Sequence, residues 1–171
     1  MAKKRIALVS TGGTIEKTYD ELSGLLANQV SVLDVMLGSL ELRGIEVLRV
    51  QLMNKDSLDM TPEDHTLIAE TCDSMARAAD GVVVVHGTDR LANSGERVVE
   101  LVGTPRHPVV FTGAMRPYEL RATDALQNLT EALLAVQLLA PGVYVCMHNQ
   151  VLQFPGVSKD RHLGTFVKEA P

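Results

Sequence analysis

Thr14, Thr88, Asp89 and Lys159 are of the types needed for nucleophilic attack on a carbonyl. A threonine hydroxyl is nearly unreactive at neutral pH, so either threonine needs a base or a proton-accepting relay beside it. Asp89 adjoins Thr88, and a crowded lysine with a lowered pKa serves as such a base when a carboxylate orients it. Thr–Lys–Asp would then follow the logic of the serine-hydrolase triad. Sequence separation alone does not bring Lys159 to the pair, and its default state is a solvated surface cation. Tyr19 lies five residues after Thr14 in the polar stretch 16–21. Its phenol takes a proton only where a cation stabilises the phenolate, and on its own it reads as a surface aromatic on a mobile loop.

Gly12 and Gly13 allow a sharp turn and a close approach to a ligand; a purely structural turn needing positive φ is the plainer reading. Gly87 and Gly113 begin loops in the same way. Phosphate cradles are not indicated, because neither G-x-x-x-x-G-K-[ST] nor G-x-G-x-x-G occurs. His65, His86, His107, His148 and His162 show no metal-ligand spacing. No metal site is indicated, although His86 and His148 fall near strand ends, where a helper role is open.

The elements that must position these groups alternate in type. Residues 6–9 read as a buried strand closed by the glycines, and 30–42 as a helix with one apolar face ending before Gly44. Residues 45–52 alternate as a second strand. Thr61-Pro62-Glu63-Asp64 is a helix start with a Thr cap, Pro at the first position and acids near the positive dipole end. Residues 82–85, four valines, imply a strand buried on both faces. A helix near 95–102, a strand at 108–111, a helix at 122–139 and a strand at 143–147 follow. Beyond Asn149 the periodicity fades, and 151–171 reads as a loop with at most one short element. Five strands alternating with four helices predict a single α/β domain, a parallel sheet with helices on both faces (Rossmann-like or flavodoxin-like). Ligands bind such sheets beyond the carboxyl ends of the strands. Polar and small residues recur there: 11–14, 54–57, 86–89, 112–115 and 148–149.

Composition narrows the function classes. Sixteen Lys plus Arg against 21 Asp plus Glu give a formal charge of −5, which argues against a nucleic-acid or anionic-membrane surface. The absence of Trp leaves little material for base stacking. Cys72 and Cys146 form no C-x-x-C, so neither a disulfide scaffold nor a cysteine zinc site is indicated. The apolar run after Lys3-Lys4-Arg5 is too short for a signal peptide, and no stretch approaches a membrane span; a soluble, cytoplasmic protein is expected.

Four strand-end segments resemble the bacterial-type L-asparaginase family. Thr11-Gly12-Gly13-Thr14-Ile15 and His86-Gly87-Thr88-Asp89 resemble its two signatures. Phe111-Thr112-Gly113-Ala114-Met115-Arg116-Pro117 resembles its fourth-strand segment, and Asp56-Ser57-Leu58-Asp59-Met60 its substrate-carboxylate loop. The resemblance implies hydrolysis of the asparagine side-chain amide without a cofactor. It implies Thr14 as primary nucleophile with Tyr19 as relay, and Thr88, Asp89 and Lys159 as the second catalytic set. Lys159 comes from the resemblance of 151–159 to the lysine-bearing region. Ser57 would bind the α-carboxylate and Asp89 the ammonium group, with Gly13, Asp56, Gly87 and Ala114 completing the substrate site. Residues 1–171 match only the first of the family's two domains, so the acid that a neighbouring second domain supplies has no counterpart, and weaker substrate affinity is expected. Tyr19 follows Thr14 more closely than in the family, and Leu58 replaces a frequent polar contact. L-asparagine as substrate and a homodimer or homotetramer are the expected partners; glutamine, another amide or a non-catalytic binding module are the alternatives.

Overall fold

Valines 82–85 lie within a strand buried along its whole length, the outcome expected where β-branched side chains must pack on both faces of a sheet. The computed structural model describes residues 2–169. In chain order it comprises β1 (Lys4–Gly12), a 3-10 turn (Thr14–Glu16), β2 (Thr18–Asp20), β3 (Leu25–Ala27), α1 (Leu33–Gly38) and β4 (Ile45–Lys55). A second 3-10 turn (Ser57–Asp59), α2 (Pro62–Ala78), β5 (Gly81–Val85), α3 (Leu91–Val102) and β6 (Val109–Thr112) follow. The chain continues through α4 (Ala125–Ala135), β7 (Val143–Met147), β8 (Gln150–Gln153), β9 (Val157–Asp160) and β10 (Thr165–Lys168).

The central sheet has the order β4-β1-β5-β6-β7-β8. All its pairs are parallel except β7 with the edge strand β8. Alternation along the strands divides the core. Ile6, Leu8, Val83, Val85 and Val110 pack with Leu33 and Met36 of α1 and Leu129 and Leu133 of α4. Ala7, Val9, Val82, Val84 and Phe111 pack with Ile68 and Cys72 of α2 and Leu91 and Val98 of α3. Each large aliphatic side chain so buried contributes about 1.5–3 kcal/mol. The α/β architecture read from the sequence is therefore present, and its order reverses between β1 and β5, the crevice where such sheets bind ligands.

Local chemistry sets the boundaries. Thr61 Oγ1 accepts the Asp64 N–H at 3.3 Å while the Asp64 carboxylate accepts the Thr61 N–H at 2.9 Å, the predicted start of α2 realised as a capping box. The helix expected over 30–42 covers only Leu33–Gly38. Ser39 Oγ donates back to the Met36 carbonyl and closes it, while Leu40 and Leu42 still reach the core from irregular backbone. The helix expected over 122–139 is likewise shorter, Ala125–Ala135.

Two readings need correction. The segment after Asn149 is not a loop: β8 extends the sheet, and β9 and β10 form an antiparallel hairpin. Of that segment, residues 170 and 171 lie outside the described residues. The stretch around Tyr19 is also not a bare loop but one strand of the β2–β3 hairpin, with Tyr19 opposite Leu26.

Candidate active site

Three backbone segments meet at the crevice because glycine stands at each contact. Gly13 has φ +83°, and a Cβ there would lie 2.4 Å from the Gly87 Cα. A Cβ on Gly87 would lie 2.7 Å from Ser57 Oγ. The end of β1, the end of β5 and the turn after β4 are thus in van der Waals contact, which brings Thr14, Thr88 and Ser57 to one place. Gly12, φ +99°, lets the Gly13 N–H donate to the Lys55 carbonyl at 2.9 Å.

Lys159 arrives from β9. Val157 is buried, and period-2 alternation puts Lys159 on the same side of the strand. Glu96 Oε1 accepts the Gly156 N–H at 2.6 Å and ties the start of that hairpin to α3. Phe154 lies against α3 where Gly95 has no side chain; a Cβ there would lie 2.2 Å from the ring. Lys159 Nζ then donates to Thr88 Oγ1 at 2.8 Å and to Asp89 Oδ1 at 2.9 Å. Arg161 Nη2 stands 3.1 Å from the same Asp89 oxygen. Thr88 is buried and Lys159 is partly so, with 16% of its side chain exposed; partial burial makes an ion pair stronger than one on an open surface.

The other predicted residues fall around this cluster. Thr14 is half-buried at the start of its 3-10 turn, and no hydrogen bond engages its hydroxyl among the described residues. Tyr19 is 57% exposed, with no hydrogen bond to Thr14. Ser57 is buried, and its Oγ accepts the Arg90 N–H at 3.3 Å. Asp56 has both oxygens engaged: Oδ1 accepts the Leu58 N–H at 3.0 Å and Oδ2 meets Lys17 Nζ at 2.6 Å. That Lys17 contact holds its carboxyl below the usual range. Ala114 is buried, and the strand-end segment that carries it is fixed from both sides. Asn128 Nδ2 donates to the Gly113 carbonyl at 2.9 Å, and the Met115 and Arg116 N–H groups donate to Asp124 at 3.0 and 2.9 Å.

Several participants escape a reading of the sequence. Lys17 and Arg161 sit in charged stretches that look like solvated surface. Asp124 also accepts from Asn128 Nδ2 at 2.9 Å and takes a fourth partner, His148 Nε2, at 2.7 Å. Burial would raise the Asp124 carboxyl, but the two backbone N–H groups and the imidazole together keep it below the usual range. His148 is the strand-end histidine whose helper role was open, and it acts on the loop through Asp124. The i, i+4 spacing of Asp124 and Asn128 is the signal a sequence offers for this arrangement.

The model of the family described as "Asparaginase, N-terminal" matches residues 5–164. A subunit of glutamyl-tRNA(Gln) amidotransferase from Haloquadratum walsbyi is 37% identical over 145 residues, 84% of this chain and 33% of that protein. L-asparaginase of Thermococcus kodakarensis is 30% identical over 160 residues, 94% of this chain and 49% of that protein. The solved thermostable L-asparaginase from Thermococcus kodakarensis superposes with a TM-score of 0.86 at 31% identity, covering 96% of this chain and 51% of the other. The chain belongs to the asparaginase family. It spans between a third and a half of the length of these curated relatives.

Proposed function

We propose that this chain hydrolyses the side-chain amide of L-asparagine to L-aspartate and ammonia through a threonine nucleophile. The observation that carries this reading is the Lys159 ammonium bonded to both Thr88 and Asp89, beside Thr14 and Ser57 at the sheet's reversal point. In this reading the β2–β3 hairpin carries Tyr19 inward, the Thr14 oxygen attacks the amide carbon, and the Tyr19 oxygen takes the Thr14 proton as it gives its own to the amide nitrogen. The C–N bond breaks, ammonia leaves with the proton from the phenol, and water cleaves the resulting ester. Thr88, Lys159 and Asp89 manage the protons of the second half. Ser57 Oγ already accepts from the Arg90 N–H, which leaves its own proton for the α-carboxylate of the substrate. Asp89 holds the ammonium, and pinning both ends places the amide against Thr14. A homo-oligomer with the sites near an interface is part of the same proposal.

Glutamine differs by one methylene, a discrimination of roughly 1–3 kcal/mol. A second reading, favoured by the 37% identity to the haloarchaeal amidotransferase component, is that the chain serves as part of such an amidotransferase. Ammonia release from asparagine and glutamine by the purified protein, with binding measured in parallel, separates turnover of either amide from binding alone. Asparagine turnover supports the first, and binding without ammonia identifies a binding module. Thr14→Ala and Lys159→Met are each expected to lower kcat by roughly 10³-fold or more with the far-UV spectrum unchanged. Near-native turnover by either variant removes that residue from the mechanism.

A further inference from the structure

Behind the Gly87–Thr88 turn runs a chain of buried polar side chains that the hydrolysis so far leaves unused. His86 and Ser94 are fully buried, and His65 is 8% exposed. His86 Nδ1 is 2.7 Å from the Gly87 carbonyl oxygen, and His86 Nε2 is 2.7 Å from Ser94 Oγ. Ser94 Oγ is in turn 2.7 Å from His65 Nδ1. A carbonyl only accepts, so His86 Nδ1 carries a proton. Burial keeps the ring neutral, its pKa pushed down to about 4, which makes Nε2 an acceptor. Ser94 must therefore donate to His86 and accept from Nδ1–H of His65. One carbonyl fixes every proton in the chain. Because that terminal carbonyl is no base at neutral pH, the chain cannot relay protons. It can only orient its last member.

That member is the peptide group joining Gly87 to Thr88. In a trans peptide the C=O and N–H lie antiparallel in one plane. An imidazole gripping the Gly87 oxygen from the buried side turns the Thr88 N–H the opposite way, away from the histidine. Among the described residues, no acceptor takes that N–H. Gly87 contributes no side chain to hold the plane, since any Cβ would strike Ser57.

We propose that His86, backed by Ser94 and His65, is a positioning residue that aims the Thr88 N–H at the oxyanion formed from the substrate amide. The proposal rests on the amide hydrolysis given under Proposed function, and two variants isolate it. In His86→Asn the amide nitrogen takes the place of Nδ1 and can still donate to the Gly87 oxygen. In His86→Gln it takes the place of Nε2 and reaches only Ser94. Losing a properly aimed oxyanion donor costs on the order of 100-fold in kcat. The Gln variant is expected to show that loss with KM within about threefold of wild type, and the Asn variant to recover most of it, although Gln better fills the imidazole volume. Gln matching or exceeding Asn overturns the proposal. Should either variant fail to fold, Ser94→Ala, which frees the imidazole from its tether, is expected to lower kcat about tenfold, on the same donor-misalignment scale; wild-type kcat there also overturns it. Nitrogen-15 NMR of the wild-type imidazole gives a readout independent of turnover. A protonated Nδ1 and bare Nε2 on His86 support the proposal, and the reverse tautomer refutes it whatever the protein hydrolyses. Absence of ammonia release from any amino-acid amide refutes instead the function on which it stands.

Discussion

Acid should weaken this fold well before its carboxylates titrate, and His86 sets the size of the effect. In the unfolded chain its imidazole takes a proton near pH 6.5, whereas in the fold it does so only at about 4, because burial disfavours the charged ring. Between those values the unfolded state binds one proton more than the native state, so stability falls as pH falls through the window. From pH 7 to pH 5 the linkage amounts to roughly 2 kcal/mol from this residue alone. With a urea m-value of about 2 kcal/mol/M, that is a midpoint lower by about 1 M. His65, lowered chiefly by burial, acts in the same direction. Glu16, raised by burial, acts in the other, gaining stability below its elevated native value. Urea unfolding of wild type and His86→Asn at both pH values separates the histidine from these neighbours, since only wild type carries the titrating ring. The variant should lose about 1 M less on acidification. Equal midpoint shifts in the two proteins would refute the assignment of a buried, neutral His86.

Ser57→Ala should chiefly raise KM, because a group that grips the substrate α-carboxylate acts alike in ground and transition states; steady-state kinetics showing a fall in kcat at constant KM would contradict that role. Lys17→Met breaks the 2.6 Å contact between the base of the β2–β3 hairpin and Asp56. It should speed proteolytic cleavage within 18–27 while moving the thermal midpoint little, since partly exposed ion pairs contribute about 0–1 kcal/mol. Thr61→Ala removes one half of the capping box on α2 and should cost about 1 kcal/mol in chemical denaturation with kcat unchanged.

The parts of the fold legible in the sequence are those where one local pattern suffices. Valines 82–85 need no partner to declare a buried strand, and Thr61 with Pro62 and Asp64 declares a helix start. Strands β8 to β10 are not legible in this way, because each has four residues and mixes polar with apolar types. What makes them strands is pairing: Phe166 lies opposite Lys159 only once the hairpin has closed. The site divides in the same way. Threonines and glycines at strand ends can be found from the doubly wound pattern, because that topology gathers strand ends. Spacing does not join Lys159 to Thr88, and only the family resemblance points to it; Phe154 seated on Gly95 and Glu96 bound to Gly156 are the tertiary facts that deliver it. His86 illustrates a different loss, since a residue type tells nothing of which ring nitrogen carries hydrogen.

The stacked glycines have a consequence for how this protein can vary. Where Gly13 meets Gly87, the spacing between the two threonine-bearing segments is gauged by main chain against main chain, a ruler with no rotamers. Aliphatic side chains deep in the interior can be exchanged for others of like volume and the sheet will breathe by fractions of an ångström, yet that gauge is unaltered. Drift in the interior and constancy at the crevice are thus mechanically uncoupled, and one added methyl at position 13 or 87 would do more harm than many changes beneath them.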